Sequence, residues 1–290
     1  MKTFGIIALA GGVNVEKLGK AVTNIKELGY NVKVSKNILD EYRYLAGSDE
    51  KKLEELYKFF LDPEIDIILN ARGGYGSIRL INKIDYEVIK NNPKIFCGFS
   101  DITALLLMIY KKTGLITYHG PMACSDFTDI QLNPAEGDPK PFTLPNFFNA
   151  INDEPLEFVG NKVYKDGYAE GIIWGGNLST VVSLCGQDFI PDEDFIFFAE
   201  DLNEPVYKID KMFTQLFNIE KFRGKCKGVV LGDFLNAGNE KWLDELFEEF
   251  RVPTIGGFKI THNPEKITIP IGKKASLENV VLKINNIPFS

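Results

Sequence analysis

The sequence predicts an α/β protein made of two units. Three observations carry that reading. A chain of 290 residues is long for one hydrophobic core. Residues 1–120 alternate strand-like and helix-like patterns, as a parallel sheet with helices on both faces requires. The alternation fades over residues 126–165 and then resumes. The expected units are therefore 1–125, an α/β domain, and 166–290, a second α/β domain richer in irregular strands. A linker or extended crossing segment, 126–165, separates them, punctuated by Pro134, Pro139, Pro141, Pro145 and Pro155.

The elements follow in order. Thr3 to Leu9 is an apolar strand, Val15 to Leu28 a helix closed by Gly29, and Asn31 to Ser35 a short strand. Ser48-Asp49-Glu50-Lys51 opens a helix with Leu53, Leu56, Phe59 and Phe60 on one face. Ile65 to Ala71, Ile95 to Phe99 and Ile116 to Tyr118 are further strands. In the second unit, GIIWGGNLSTVVSLCG reads as strand, glycine turn and helix, and FIFFAEDLNE as a strand ending in acids. Val206 to Phe217 is a helix, GVVLGDF a buried strand and Trp242 to Phe250 an amphipathic stretch, followed by the strand-like ITIPIG and NVVLKI.

Composition narrows the function classes. The net charge is −7, which disfavours nucleic acid and anionic membrane as partners. No apolar run reaches the ~20 residues of a membrane span. Ala8-Leu9-Ala10 resembles a signal cleavage site, but the apolar core before it is too short, and a first buried strand is the expectation. Cys97, Cys124, Cys185 and Cys226 are scattered, and the two histidines, His119 and His262, are far apart. That pattern offers no zinc site and suits buried thiols in a reducing cytosol.

Three stretches could carry chemistry. In KIFCGFSDITALLLMIY, Ser100 stands where a strand becomes a helix. Ligands of open parallel sheets bind beyond the carboxyl ends of the strands. Ser100 there is either a helix cap, as Asp101 could be, or a nucleophile above free helix N–H groups. A serine nucleophile needs a base and a group that orients it: His119 or His262 for the first, Glu200, Asp201 or Glu204 for the second. NARGGYGSIRLI follows a strand with Gly73, Gly74 and Gly76. It lacks the third glycine of a dinucleotide fingerprint and a phosphate-loop lysine, yet its backbone could supply an oxyanion donor.

Six blocks in order, ARGGYGSIRLINKID, PKIFCGFSDITALLLMIYKKTGLITYHGPM, GIIWGGNLSTVVSLCG, FFAEDLNEPVYKIDKMFTQL, GVVLGDF and PTIGGFKITHNPEKITIPIGKKASL, together resemble the LD-carboxypeptidase (muramoyl-tetrapeptide carboxypeptidase) family of serine peptidases. The resemblance implies a flavodoxin-like N-terminal domain and a C-terminal swivelling β/β/α domain, with the active site between them. It implies a triad of Ser100 in Gly-Phe-Ser-Asp, Glu200 in the Glu-Asp pair and His262 before Thr-Ile-Pro-Ile-Gly. Gly73, Gly74 and Asp101 would supply oxyanion and substrate contacts. It further implies a cytoplasmic homodimer that releases terminal D-Ala from murein tetrapeptides, without metal or cofactor. The chain departs from the family pattern at Thr261, where glycine is frequent, and at Ala10-Gly11-Gly12, where a Pro- or Ser-containing turn is usual. Two rival functions remain: a microcin C self-immunity amidohydrolase acting on peptide- or aminoacyl-nucleotides, and a non-catalytic small-ligand-binding protein using the Gly73–Gly76 loop.

Overall fold

The computed structural model describes residues 1–130 and 142–285. The chain divides into two compact units, Met1–Phe147 and Phe148–Ser290.

Among the described residues of the first unit, five strands alternate with helices: β1 (Thr3–Ile7), α1 (Val15–Glu27), β2 (Asn31–Val34), α2 (Asp49–Leu61), β3 (Ile67–Asn70), α3 (Tyr86–Asn91), β4 (Ile95–Gly98), α4 (Thr103–Thr113), β5 (Thr117–His119) and the short α5 (Ala123–Asp126). They pair in parallel in the order β2-β1-β3-β4-β5, which is the flavodoxin-like order. Strands β1 and β3 are buried throughout, as a sheet covered on both faces requires. The caps are legible locally. Asn14 accepts the N–H of Lys17 and Ser48 that of Lys51 at the starts of α1 and α2, and Gly114 ends α4 in the left-handed conformation.

Helix α2 departs from a simple apolar stripe. Leu56, Phe59 and Phe60 are buried as expected, but so are Asp49, Lys52 and Glu55. The i, i+3 spacing puts these charges on the same face. Asp49 is met by Lys52 at 3.3 Å, Arg79 at 2.9 Å and Lys83 at 2.7 Å. Glu55 accepts hydrogen bonds from the Ser35 hydroxyl and the Lys36 N–H.

In the second unit eight of the described strands form one mixed sheet. A parallel centre of β8 (Ala169–Asn177), β9 (Phe195–Leu202), β10 (Cys226–Leu235) and β11 (Thr254–Gly256) is flanked by antiparallel β6 (Leu156–Val159), β7 (Lys162–Lys165), β13 (Lys274–Glu278) and β14 (Val281–Ile284). Also present are the short strand β12 (Ile269–Ile271) and helices α7 (Leu178–Ser183), α8 (Val206–Asn218), α9 (Glu220–Lys225) and α10 (Glu240–Glu248). Trp174, Phe195, Phe197 and Phe222 pack ring against ring in the core.

Two expectations change. Of the proposed crossing segment, residues 131–141 lie outside the described residues. Residues 142–165 carry α6 (Thr143–Ile151), β6 and β7. Pro145 sits in the first turn of α6 and Pro155 just ahead of β6, both places that tolerate proline, so these prolines mark element starts. The expected turn at Gly175-Gly176 is absent, and β8 runs straight through both residues into α7. A Cβ on Gly175 would stand 1.9 Å from the Phe198 carbonyl oxygen, so glycine serves close strand approach here.

The Asp49 cluster yields a stability prediction. Burial alone would raise this carboxyl, but hydrogen bonds from Arg79 and Lys83 and the charge of Lys52 carry it well below the usual carboxylate range. A depressed folded-state pKa contributes stability above the unfolded carboxyl value of about 3.9, and that contribution is lost as pH falls below it. Asp49→Asn strands the buried Lys52 ammonium and should cost about 3 kcal/mol at pH 7. Urea unfolding at pH 7 and pH 3 should show the deficit shrinking at the lower pH. An equal deficit at both would rule out this linkage.

Candidate active site

The first unit assembles one set of groups at the carboxyl ends of β1, β3 and β4. Ser100 follows β4 with φ +59, the left-handed region that a residue with a Cβ rarely occupies. It opens a single 3-10 turn, Ser100–Ile102, that leads into α4, and its hydroxyl caps neither. Ser100 is thus not a helix cap, and its side chain is half-buried. Asp101 is not a cap either. Its carboxylate accepts the N–H of Ser77 at 2.9 Å, and its carbonyl accepts the Ser77 hydroxyl. Burial pushes the Asp101 carboxyl up, against the hydrogen bonds from Ser77 and Gly76 and the charge of Lys52.

The glycine loop after β3 lies directly on this turn. A Cβ on Gly73 would stand 3.0 Å from Ser100 Cβ, 3.1 Å from its Oγ and 3.5 Å from the Asp101 backbone nitrogen. A side chain at Gly73 would make tight contact here, so that Ser100 would have to shift by a few tenths of an ångström. Gly74, at φ +116, turns instead toward Gly11 and Arg72. The Gly11 N–H donates to the Gly73 carbonyl at 3.2 Å and so ties the loop after β1 to the loop after β3.

The second unit assembles the other set. Glu200 is the sixth residue of β9 and fully buried. Parallel pairing sets Asn177 of β8 beside it. Glu200 Oε1 accepts from Asn177 Nδ2 at 3.2 Å, and Glu200 Oε2 lies 2.8 Å from His262 Nδ1. Burial raises the Glu200 carboxyl, opposed by the His262 hydrogen bond and charge. The His262 loop is pinned to β10. The Asp233 N–H donates to the Ile260 carbonyl, and the Asn263 N–H donates to the Thr261 hydroxyl. Thr261 thus makes a side-chain turn that holds the imidazole in place. A ring that donates Nδ1–H to a carboxylate presents Nε2 as a proton acceptor, and the carboxylate stabilises the cation formed.

Of the candidate orienting acids, Glu200 alone meets a histidine. Asp201 accepts the N–H groups of Ser179 and Leu202 and the Asn177 amide, and Glu204 pairs with Lys208. His119 ends β5, buried and edge-on to Phe99. Asn177 was not singled out from the sequence. Its signal was its place before a helix, where it also accepts the Thr180 N–H; its second task depends on register, which the sequence hides. Among the described residues no three His, Cys, Asp or Glu side chains are grouped to hold a metal. No helix among them is long and apolar enough to cross a membrane.

Comparison with known proteins agrees with this architecture. Residues 4–120 match the family model described as LD-carboxypeptidase N-terminal domain, and residues 170–277 the one described as LD-carboxypeptidase C-terminal domain. A probable murein peptide carboxypeptidase of Bacillus subtilis is 36% identical, over 95% of this chain and 88% of that protein. The microcin C7 self-immunity protein MccF of Escherichia coli is 29% identical, over 81% and 77%. The crystal structure of muramoyltetrapeptide carboxypeptidase from Oxalobacter formigenes superposes with a TM-score of 0.86 at 28% identity, covering 99% of this chain and all of that one. With both domain models matched in order across most of its length, the chain belongs to the LD-carboxypeptidase family of serine peptidases.

Proposed function

We propose that the protein is a serine carboxypeptidase that hydrolyses the L,D-peptide bond to the terminal D-Ala of murein tetrapeptides, in the cytoplasm and as a homodimer, in peptidoglycan recycling. The observation that carries this reading is the Glu200–His262 pair, a fully buried carboxylate 2.8 Å from an imidazole nitrogen. Burying a carboxylate is costly unless it is paired, and orienting a general base accounts for this one. The glycine-covered turn at Ser100 supplies the matching nucleophile.

In this mechanism His262 Nε2 takes the Ser100 hydroxyl proton as Oγ attacks the scissile carbonyl. Glu200 holds the ring and balances the imidazolium. The Asp101 N–H, with that of Gly73 or Gly74, stabilises the oxyanion, each donor being worth about 3 kcal/mol of barrier. The imidazolium then protonates the amine of the departing D-Ala. Water, deprotonated by the same ring, hydrolyses the acyl-serine. Neither metal nor organic cofactor enters these steps.

Incubation with a purified murein tetrapeptide should release D-Ala, followed by mass spectrometry. A folded protein that releases none between pH 6 and pH 9 would refute the assignment. Ser100→Ala should abolish release while the thermal unfolding curve stays close to wild type. The 29% identity to a microcin self-immunity protein supports a second reading, and cleavage of an aminoacyl sulfamoyl adenosine with murein peptides untouched would replace the first. Glu200→Gln should keep the fold but lower kcat by roughly 10⁴-fold, because the amide favours the wrong imidazole tautomer. A loss under tenfold would mean that Glu200 does not orient the base.

A further inference from the structure

A carboxypeptidase must distinguish a chain end from a chain interior. A cation one residue beyond the scissile carbonyl would do so by pairing with the terminal carboxylate, since a residue spans at most about 3.6 Å of extended chain. We infer that Arg72 is that cation and binds the terminal carboxylate of the substrate. The inference rests on the carboxypeptidase reading and deepens it.

Arg72 directly precedes Gly73, the residue packed on Ser100. Its Nε donates to the Gly73 carbonyl and its Nη1 to the Gly12 carbonyl, both at 3.2 Å. These two bonds fix the plane of the guanidinium. Of the five N–H donors of an arginine, the rest remain for a ligand. Nη2 lies 3.5 Å from where a Gly74 Cβ would stand. A carboxylate is the ligand that matches such a fork.

The surroundings agree. Arg72 is exposed and lines a cleft of about 590 Å³ with Gly12, Asn14, Glu41, Arg43 and Tyr44. Several other cations of this unit are committed: Lys33, Lys51, Lys58, Arg79 and Lys83 to carboxylates, Lys94 to two backbone carbonyls. Arg43, the other guanidinium of the cleft, sits 5.2 Å from the ring centre of Tyr42. Among the described residues no carboxylate pairs with Arg72, although its neighbours Gly12 and Gly73 already hold it rigid. A guanidinium held by two backbone carbonyls, and next in sequence to the glycine packed on Ser100, suits a terminal carboxylate.

The test compares a murein tetrapeptide ending in D-Ala with the same peptide ending in D-alaninamide, for wild type, Arg72→Met and Arg72→Lys. Wild type should favour the acid by roughly 100-fold in kcat/KM, the loss expected when one partner of such a charge pair is removed. In Arg72→Met the acid should lose most of that factor and the amide far less, so that the ratio collapses toward one. Arg72→Lys should fall between. If Arg72 merely supports the Gly73 loop, acid and amide will fall together and the ratio will persist, which overturns the inference. A wild-type enzyme indifferent to the amide overturns it as well, even if Arg72→Met does not fold. A wild type that cleaves neither peptide defeats the carboxypeptidase reading itself, whereas cleavage without discrimination defeats only the role of Arg72.

Discussion

Holding Ser100 at φ +59 costs roughly 1–3 kcal/mol, and the carboxyl end of the first sheet is arranged around that cost. Asp101 is locked by two hydrogen bonds to Ser77, which belongs to the neighbouring strand's loop. Gly73 packs on the serine where a side chain would be tight. The Gly11 N–H then fastens Gly73 in turn. Loops after three adjacent parallel strands thus brace one strained residue. Parallel strands all point one way, so their following loops converge at one edge of the sheet. An antiparallel sheet would send alternate loops to the other end.

The second unit solves a different problem, that of a carboxylate removed from water. Glu200 offers two oxygens, and each meets one donor, Asn177 on one side and His262 on the other. The β8–β9 register delivers the first and the turn built on Thr261 the second. Asn177 also joins Glu200 to Asp201 and caps α7, so a single amide couples the strand pair to the helix that follows. Buried polar groups that satisfy one another in this way favour one arrangement over its neighbours.

Much of this was legible beforehand, because the signals are local. The strands of the first unit are short apolar runs separated by capped helices, and Ser100, Glu200 and His262 each sit in recognisable short contexts. What escaped was non-local. The charges on the inner face of α2 look like a solvated stripe until Arg79 and Lys83 arrive from a later segment. Strands β6 and β7 follow a proline-rich stretch, and β6 pairs with β14, more than a hundred residues away. Asn177 has one role visible in its own neighbourhood and another set by a strand that follows it. The glycines of β8 were misread because glycine marks turns and close contacts alike, and only the partner strand decides between them.

Gly175 has a further consequence. Every single-base change in a glycine codon that alters the residue adds a Cβ, and at this position the Cβ would stand 1.9 Å from the Phe198 carbonyl oxygen. Two residues on in the same pair of strands, Asn177 faces Glu200. Drift at Gly175 would therefore be felt as a displacement in the strand pair that carries the buried Glu200 carboxylate. In a population of variants this codon should stand as still as those of Asn177 and Glu200.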